Sequence, residues 1–525
     1  MKITALILSL ILLMSGCSFK SGTGTEYIEI SKDATEIVLS NEKITVNGAE
    51  ISNDETAPVY FANDIVYYPE GKDFTFGEGE KKDEHTQEEA NEHTVVHITK
   101  AGDYVLSGTL SKGQIAVDLG EDAENNPEAV VTLMLNGVDL TCSVAPAVIF
   151  YNVYECGSKD AETATKDVDT KPAGANIIIA DGSENNINGS YVARIYKSVE
   201  LSEDGKEVVD SKKLHKYDGA FYSKMSMNIY GGKVGDGILN IIAENEGLDT
   251  ELHLTMFGGN VNIRSGNDGI NTNEDNVSVT TINGGKLNIT VTGETGEGDG
   301  IDSNGWLVIN GGEVTASACG TSGDSGIDSD KGIHINGGTV KASGNMLDKI
   351  EGTQGHSVFG FDGVFDMSMN GGNTYTIKNE NGDEIVSYTP ENNFTNMVIS
   401  DGNLAEGEYS LWLGDTKLKV ARVERNLSMH GGMPPMGNRP EGMPMGERPP
   451  MENMAEGERP QRGEKPIPTE LPEMPDGKTP TKEQFEKRNN ERLKLEYHDT
   501  FKIEKGENYF MVSTIETGYI DTYEP

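Results

Sequence analysis

Residues 299–317 read Asp299-Gly300-Ile301-Asp302-Ser303-Asn304-Gly305-Trp306-Leu307-Val308-Ile309-Asn310-Gly311-Gly312-Glu313-Val314-Thr315-Ala316-Ser317. Short runs of alternating apolar and polar residues are each closed by a glycine. Alternation with a period of two, ended by Asn-Gly or Asp-Gly, is the pattern of strands and turns. About three such strands fit here, and no helix.

The unit recurs. Gly-Gly pairs start at 231, 258, 284, 311 and 337, with gaps of 27, 26, 27 and 26, and a sixth at 371 follows after 34. A second set of motifs keeps step with them: Asp218-Gly219-Ala220, Glu246-Gly247-Leu248-Asp249-Thr250, Asp268-Gly269-Ile270-Asn271-Thr272, Asp299-Gly300-Ile301-Asp302-Ser303 and Ser325-Gly326-Ile327-Asp328-Ser329. A period in the mid-twenties fits one rung of a parallel β-helix, an all-β solenoid. A leucine-rich repeat would show a leucine-asparagine signature, and a propeller blade a longer period.

In such a rung, equivalent residues stack about 4.8 Å apart. Three inward columns are predicted: Ile229, Met256, Ile282, Ile309 and Ile335; Val261, Leu287, Val314 and Val340; Ala220, Leu248, Ile270, Ile301 and Ile327. Asn283, Asn310, Asn336 and Asn370 each precede a Gly-Gly pair, where stacked amides hydrogen-bond along the axis.

The same alternation sends an oxygen-rich strip outward: Asp268, Asn271 and Asn273; Asp299, Asp302 and Asn304; Asp328 and Asp330; with Glu246, Asp249 and Glu251 one rung earlier. Two carboxylates about 4.8 Å apart repel by on the order of 3 kcal/mol at an effective dielectric near 20. A hard cation taking about six to eight oxygen ligands relieves this, and calcium is the extracellular candidate. The alternative is that these are solvated turn residues. No EF-hand loop is present. Trp306, just before the inward Leu307, is predicted to face outward beside the strip. It is a candidate platform for stacking a sugar ring, or else a corner packing residue; Phe221 and Tyr222 are weaker candidates.

The 525 residues carry 43 Lys plus Arg against 86 Asp plus Glu, a net charge of −43. That balance argues against nucleic acid, whose phosphates need clustered cations. Residues 1–17 have the layout of a lipoprotein signal peptide, with small residues before Cys17, which becomes the lipidated N-terminus. The expected place is the extracellular face of the cell membrane, with the lipid as the only membrane contact. Residues 18–25 form a tether, 26–425 the β domain, 426–480 a disordered Met/Pro/Gly-rich linker, and 481–525 a small tail with a short helix over 482–497 and strands over 501–519. The acidic stretches 78–92 and 156–172 are expected as surface insertions. Of Cys142, Cys156 and Cys319, the first two could pair, and an odd number leaves at least one thiol free.

The chain resembles the clostridial cellulose- and acidic-sugar-binding lipoproteins, whose unit is called a carbohydrate-binding domain. The resemblance rests on Ala101-Gly102-Asp103-Tyr104-Val105-Leu106-Ser107-Gly108, Leu133-Met134-Leu135-Asn136-Gly137-Val138-Asp139-Leu140, Ala145-Pro146-Ala147-Val148, Ile179-Ala180-Asp181-Gly182-Ser183-Glu184-Asn185, Asp218-Gly219-Ala220-Phe221-Tyr222-Ser223-Lys224 and the glycine-punctuated rungs. It implies a right-handed parallel β-helix like that of pectate lyases, bound calcium, and binding of polysaccharide rather than its cleavage. The expected partner is a plant or bacterial cell-wall glycan, cellulose-like or acidic as in polygalacturonate. Two other functions stay open. One is a calcium-dependent pectate lyase, which needs a base beside the sugar's acidic carbon; Lys331 is best placed, though neighbouring carboxylates favour its charged form. The other is a structural or adhesive surface protein.

Overall fold

The computed structural model describes residues 26–348, 350–351, 356–362, 369–423 and 495–513. Cys17, the 18–25 tether, the 426–480 linker and residues 482–494 of the expected tail helix lie outside the described residues. Within them the fold is nearly all β; the one α-helix is Gln87–Asn91, closed at its start by a capping box between Thr86 and Glu89.

Three columns of parallel-paired strands form the body. In the first, Tyr104, Leu133, Ile177, Ile229, Met256, Ile282, Ile309 and Ile335 are successive register partners. All are buried. In the second, Val261, Leu287, Val314 and Val340 follow one another. The third stacks Val96, Ile115, Val148, Phe221, Leu248, Ile270 and Ile301. One correction applies here: Phe221, not Ala220, is the partner of Leu248. The step from the hairpin strand, through the single residue Asp218, shifts the phase by one residue, and Ala220 and Phe221 are both buried.

Side-chain amides reinforce the columns. Asn336 donates to Asn310 at 2.8 Å and Asn310 to Asn283 at 2.9 Å. Asn370 lies beyond the last parallel rung, where Met369 bridges Phe394 in antiparallel fashion. A second ladder, unread in the sequence, runs from Asn288 to Asn262 (2.8 Å), Asn262 to Asn240 (2.9 Å) and Asn240 to Asn186 (3.0 Å).

Antiparallel strands cover both ends, so the sheets are mixed. Val59–Ala62 pairs antiparallel with Thr94–Ile98. At the other end Asn396–Ser400 lies antiparallel on Thr339–Gly344. This removes a free edge that would otherwise template pairing with another chain. The tail strands Phe501–Ile503 and Glu507–Ser513 pair with 407–409, 356–362 and 420–422, so these tail residues belong to the same folded body. They close a second core around Phe359, Tyr375, Phe394, Phe501 and Phe510. Cys142, Cys156 and Cys319 are free thiols, so the possible Cys142–Cys156 pair does not form.

Between the second-column strand Glu184–Gly189 and the third-column strand Gly219–Ser223 projects a hairpin of Val192–Leu201 and Val208–Tyr217. Its base is held by Glu78 N–H donating to the Arg194 carbonyl and Tyr196 N–H donating to the Phe76 carbonyl.

Candidate functional site

The third column positions the acidic groups. Leu248, Ile270 and Ile301 are register partners that point into the core, so Asp249, Asn271 and Asp302 are partners on the opposite face. The residues before each glycine stack through the main chain. Glu246 N–H donates to the Asp218 carbonyl at 3.1 Å, Gly247 to that of Asp268 at 3.0 Å, Gly269 to that of Asp299 at 3.0 Å, and Gly300 to that of Ser325 at 2.9 Å. The glycine of the motif has a steric cause: a Cβ on Gly269 would meet Ile289 Cγ2 at 2.3 Å and the Gly300 carbonyl at 2.6 Å. Rungs this close bring their acidic side chains together.

The outward direction of these positions does not make them solvated, which speaks against the alternative of plain solvated turn residues. Asp249 is 1% exposed, Glu246 4%, and Asp268 and Asn271 8% each. Asp299, Asp302, Asp328, Asn273, Asn304 and Trp306 are half-buried, and Asp330 is exposed.

Two groups emerge. In the first, one carboxylate oxygen from each of Asp218, Glu246 and Asp249 lies within 4.8 Å of the others. Asn271 donates to Glu246 Oε1 at 3.1 Å, and Asn273 donates to Asp249. Lys216 Nζ sits 2.5 Å from Asp218 Oδ2. The second group continues along the axis through Asp268, Asp299, Asp302 and Asp328. Asp299 N–H donates to Asp268 Oδ1 at 2.7 Å, and Ser325 N–H to Asp299 Oδ1 at 2.5 Å. Asp328 shares a hydrogen bond with Asp348. Asn304 turns its amide N–H to the Asn273 carbonyl at 2.9 Å and to Asp275 at 3.3 Å, on the rim.

Burial first, and then the neighbouring carboxylates, push these acids upward. Asp268 rises to about 8, with Asp302 its chief charged neighbour. Asp302 rises to about 6 under burial, Asp330 and Asp348. Glu246, Asp249, Asp299 and Asp328 stand well above the carboxylate range for the same two reasons. Burial works against the charge of Lys216, but Asp218, Glu246 and Asp249 outweigh it and hold the ammonium above the lysine range.

A buried polar atom without a partner is costly. Glu246 Oε2, Asn271 Oδ1 and Asp328 Oδ1 are buried with no hydrogen-bond partner among the described residues. These orphaned oxygens, within an all-oxygen donor set, fit a hard divalent cation.

Trp306 is half-exposed in the first column, between Val279 and Gly332. Lys331 Nζ lies 4.7 Å from the centre of its ring, a cation–π contact. Phe221, a candidate for stacking on sugar, is instead a core residue, 1% exposed. Tyr222 donates its hydroxyl to Glu251 Oε1 at 2.7 Å.

The site residues missed in the sequence are Asp218 and Asp348. Asp218 opens the first Asp-Gly motif, so its signal was present; the residue-by-residue alternation simply began one rung late. Asp348 lies in the irregular segment between the strands Thr339–Gly344 and Ile350–Glu351, where no repeat announces it.

Comparison with curated proteins and with solved structures finds no match. A family model described as carbohydrate-binding domain-containing protein matches residues 92–403, more than half of the chain, and spans both acidic groups and the stacked columns. The chain therefore belongs to the carbohydrate-binding domain-containing protein family.

Proposed function

We propose that this chain is a surface lipoprotein, anchored through Cys17, that binds polysaccharide without cleaving it and does so with calcium. In this reading the three columns are the faces of a right-handed parallel β-helix, and the acidic row along one face is its ligand surface. The observation that carries the reading is the set of orphaned oxygens on Glu246, Asn271 and Asp328 inside a row of crowded carboxylates. Asp218, Glu246 and Asp249 would hold one ion, and the Asp268–Asp328 stretch would hold others. Bound there, the ion supplies positive charge against the carboxylate of an acidic sugar, which a chain of net charge −43 would otherwise repel.

Cleavage is the second reading. Lys331, its best base, rests on the Trp306 ring beside the acidic row. That contact engages the ammonium with the ring face, which supports a binding role over proton abstraction.

Retention of the purified chain on polygalacturonate and on cellulose, with calcium and with chelator, tests the proposal. Calcium-dependent retention on polygalacturonate is expected, without release of unsaturated uronides. Retention indifferent to chelator overturns the calcium role, release of unsaturated products overturns the non-catalytic role, and no retention on any glycan overturns the function.

A further inference from the structure

Beside the carboxylate triad, the hairpin and the third column enclose a cleft of about 330 Å³. This is within the ordinary range for small-ligand sites. Tyr151, Tyr217 and Tyr222 form its floor, and Lys213, Lys216 and Lys224 stand around it. The rings are mutually packed: Tyr217 lies 5.7 Å edge-on from Tyr151 and 4.9 Å from Tyr222. They make a rigid apolar base to the cleft, with Tyr151 half-buried and Tyr217 and Tyr222 7% and 3% exposed.

The charge of the cleft inverts that of the protein. Four lysines and two glutamates line it, whereas the whole chain has twice as many acids as bases, 86 against 43. The lysines are placed by different elements. Lys213 and Lys216 come from the hairpin strand Val208–Tyr217, and Lys224 follows the third-column strand Gly219–Ser223. Each is held in position by one acceptor: Lys213 by Glu251 at 2.7 Å, Lys216 by Asp218 at 2.5 Å, Lys224 by Asn152 Oδ1 at 3.3 Å. An ammonium has three donors, so each keeps hydrogen-bonding capacity for a ligand anion.

The cleft and the triad are contiguous. Tyr222 on the floor is the register partner of Asp249 in the triad, and Lys216 reaches from the rim to Asp218. We infer that the Tyr151/Tyr217/Tyr222 cleft is a subsite for one anionic sugar unit, its ring on the tyrosines and its carboxylate among Lys213, Lys216 and Lys224. This rests on the polysaccharide-binding reading and assigns its acidic specificity to lysines rather than to a cation alone.

The test is titration of oligogalacturonate and of cellohexaose into the full chain and into its Lys213→Gln/Lys224→Gln variant, in chelator and in calcium. The variant is expected to lose at least tenfold in affinity for oligogalacturonate, with cellohexaose binding and calcium binding unchanged. Equal oligogalacturonate affinity in variant and wild type places the acidic subsite elsewhere and overturns the inference while leaving polysaccharide binding intact. No binding of either sugar by the wild type overturns both. Hydrogen exchange on the wild type gives an answer that needs no variant: oligogalacturonate should protect 148–152 and 213–224, and protection confined to other segments contradicts the subsite.

Discussion

The Lys216 ammonium lies 2.5 Å from the Asp218 carboxylate, and Asp218 shares its triad with Glu246 and Asp249. One end of this lysine balances a buried acidic cluster while its stem borders the lysine–tyrosine cleft. An ion entering the triad competes with that ammonium. Lys216→Met should therefore raise calcium affinity by about fivefold, the equivalent of roughly 1 kcal/mol for a partly exposed pair. It should lower oligogalacturonate affinity at the same time. Calorimetric titration of each ligand reads the two opposite shifts; movement of both in one direction contradicts the competition.

The stacked apolar columns carry the stability. Leu307 is fully buried between its register partners Thr280 and Ile333. Leu307→Ala should destabilise the chain by about 2–5 kcal/mol through lost burial and the cavity left behind. Urea unfolding followed by circular dichroism measures it, and a loss under about 0.5 kcal/mol, the range of a surface change, would deny the column its role.

The amide ladder should be equally specific. Asn262 donates to Asn240 and accepts from Asn288. Asn262→Asp keeps the acceptor but sets a carboxylate against the Asn240 oxygen. A cost of about 1–3 kcal/mol is expected, readable as a lowered urea midpoint. An unchanged midpoint would leave the ladder ornamental.

Stability without calcium should depend on pH in an unusual direction. Asp268 at about 8 and Asp302 at about 6 hold protons more tightly folded than unfolded, where an aspartate titrates near 4. Their contribution is complete below the unfolded value and is lost as pH rises through about 6 and about 8. In chelator the thermal midpoint should thus rise as pH falls from 8 toward 6.5, and saturating calcium should flatten that slope. Below about 6.5 an opposing effect begins. Burial depresses His253 to about 4, and its stabilisation, present above 6.5, fades as pH falls through 4. A midpoint that falls steadily from pH 8 to 6.5 in chelator contradicts the crowded row.

Much of this was legible in the residues because a repeat fixes register. The Gly-Gly spacing aligned Ile229, Met256, Ile282, Ile309 and Ile335, and the strands pair them so. Ala220 was misaligned because the step from the hairpin into the third column breaks the period there. Alternation gave the direction of Asp249, Asn271 and Asp302 but not their burial. Burial depends on neighbouring loops and on the hairpin, which no local pattern encodes. The lysine–tyrosine cleft was invisible for the same reason: Tyr151 is remote in the chain from Tyr217 and Tyr222 and meets them only because its strand pairs with Gly219–Ser223 beside the base of the hairpin.

A buried oxygen row that holds divalent ions must bind them in solution. Direct calcium titration of the wild-type chain beside Glu246→Gln tests it, with circular dichroism confirming the fold of each. Stoichiometric calcium binding by the wild type and loss of one site in the variant are expected, because Glu246 Oε2 would be a ligand. Absence of calcium binding by the folded wild type, or an unchanged number of sites in the variant, contradicts it.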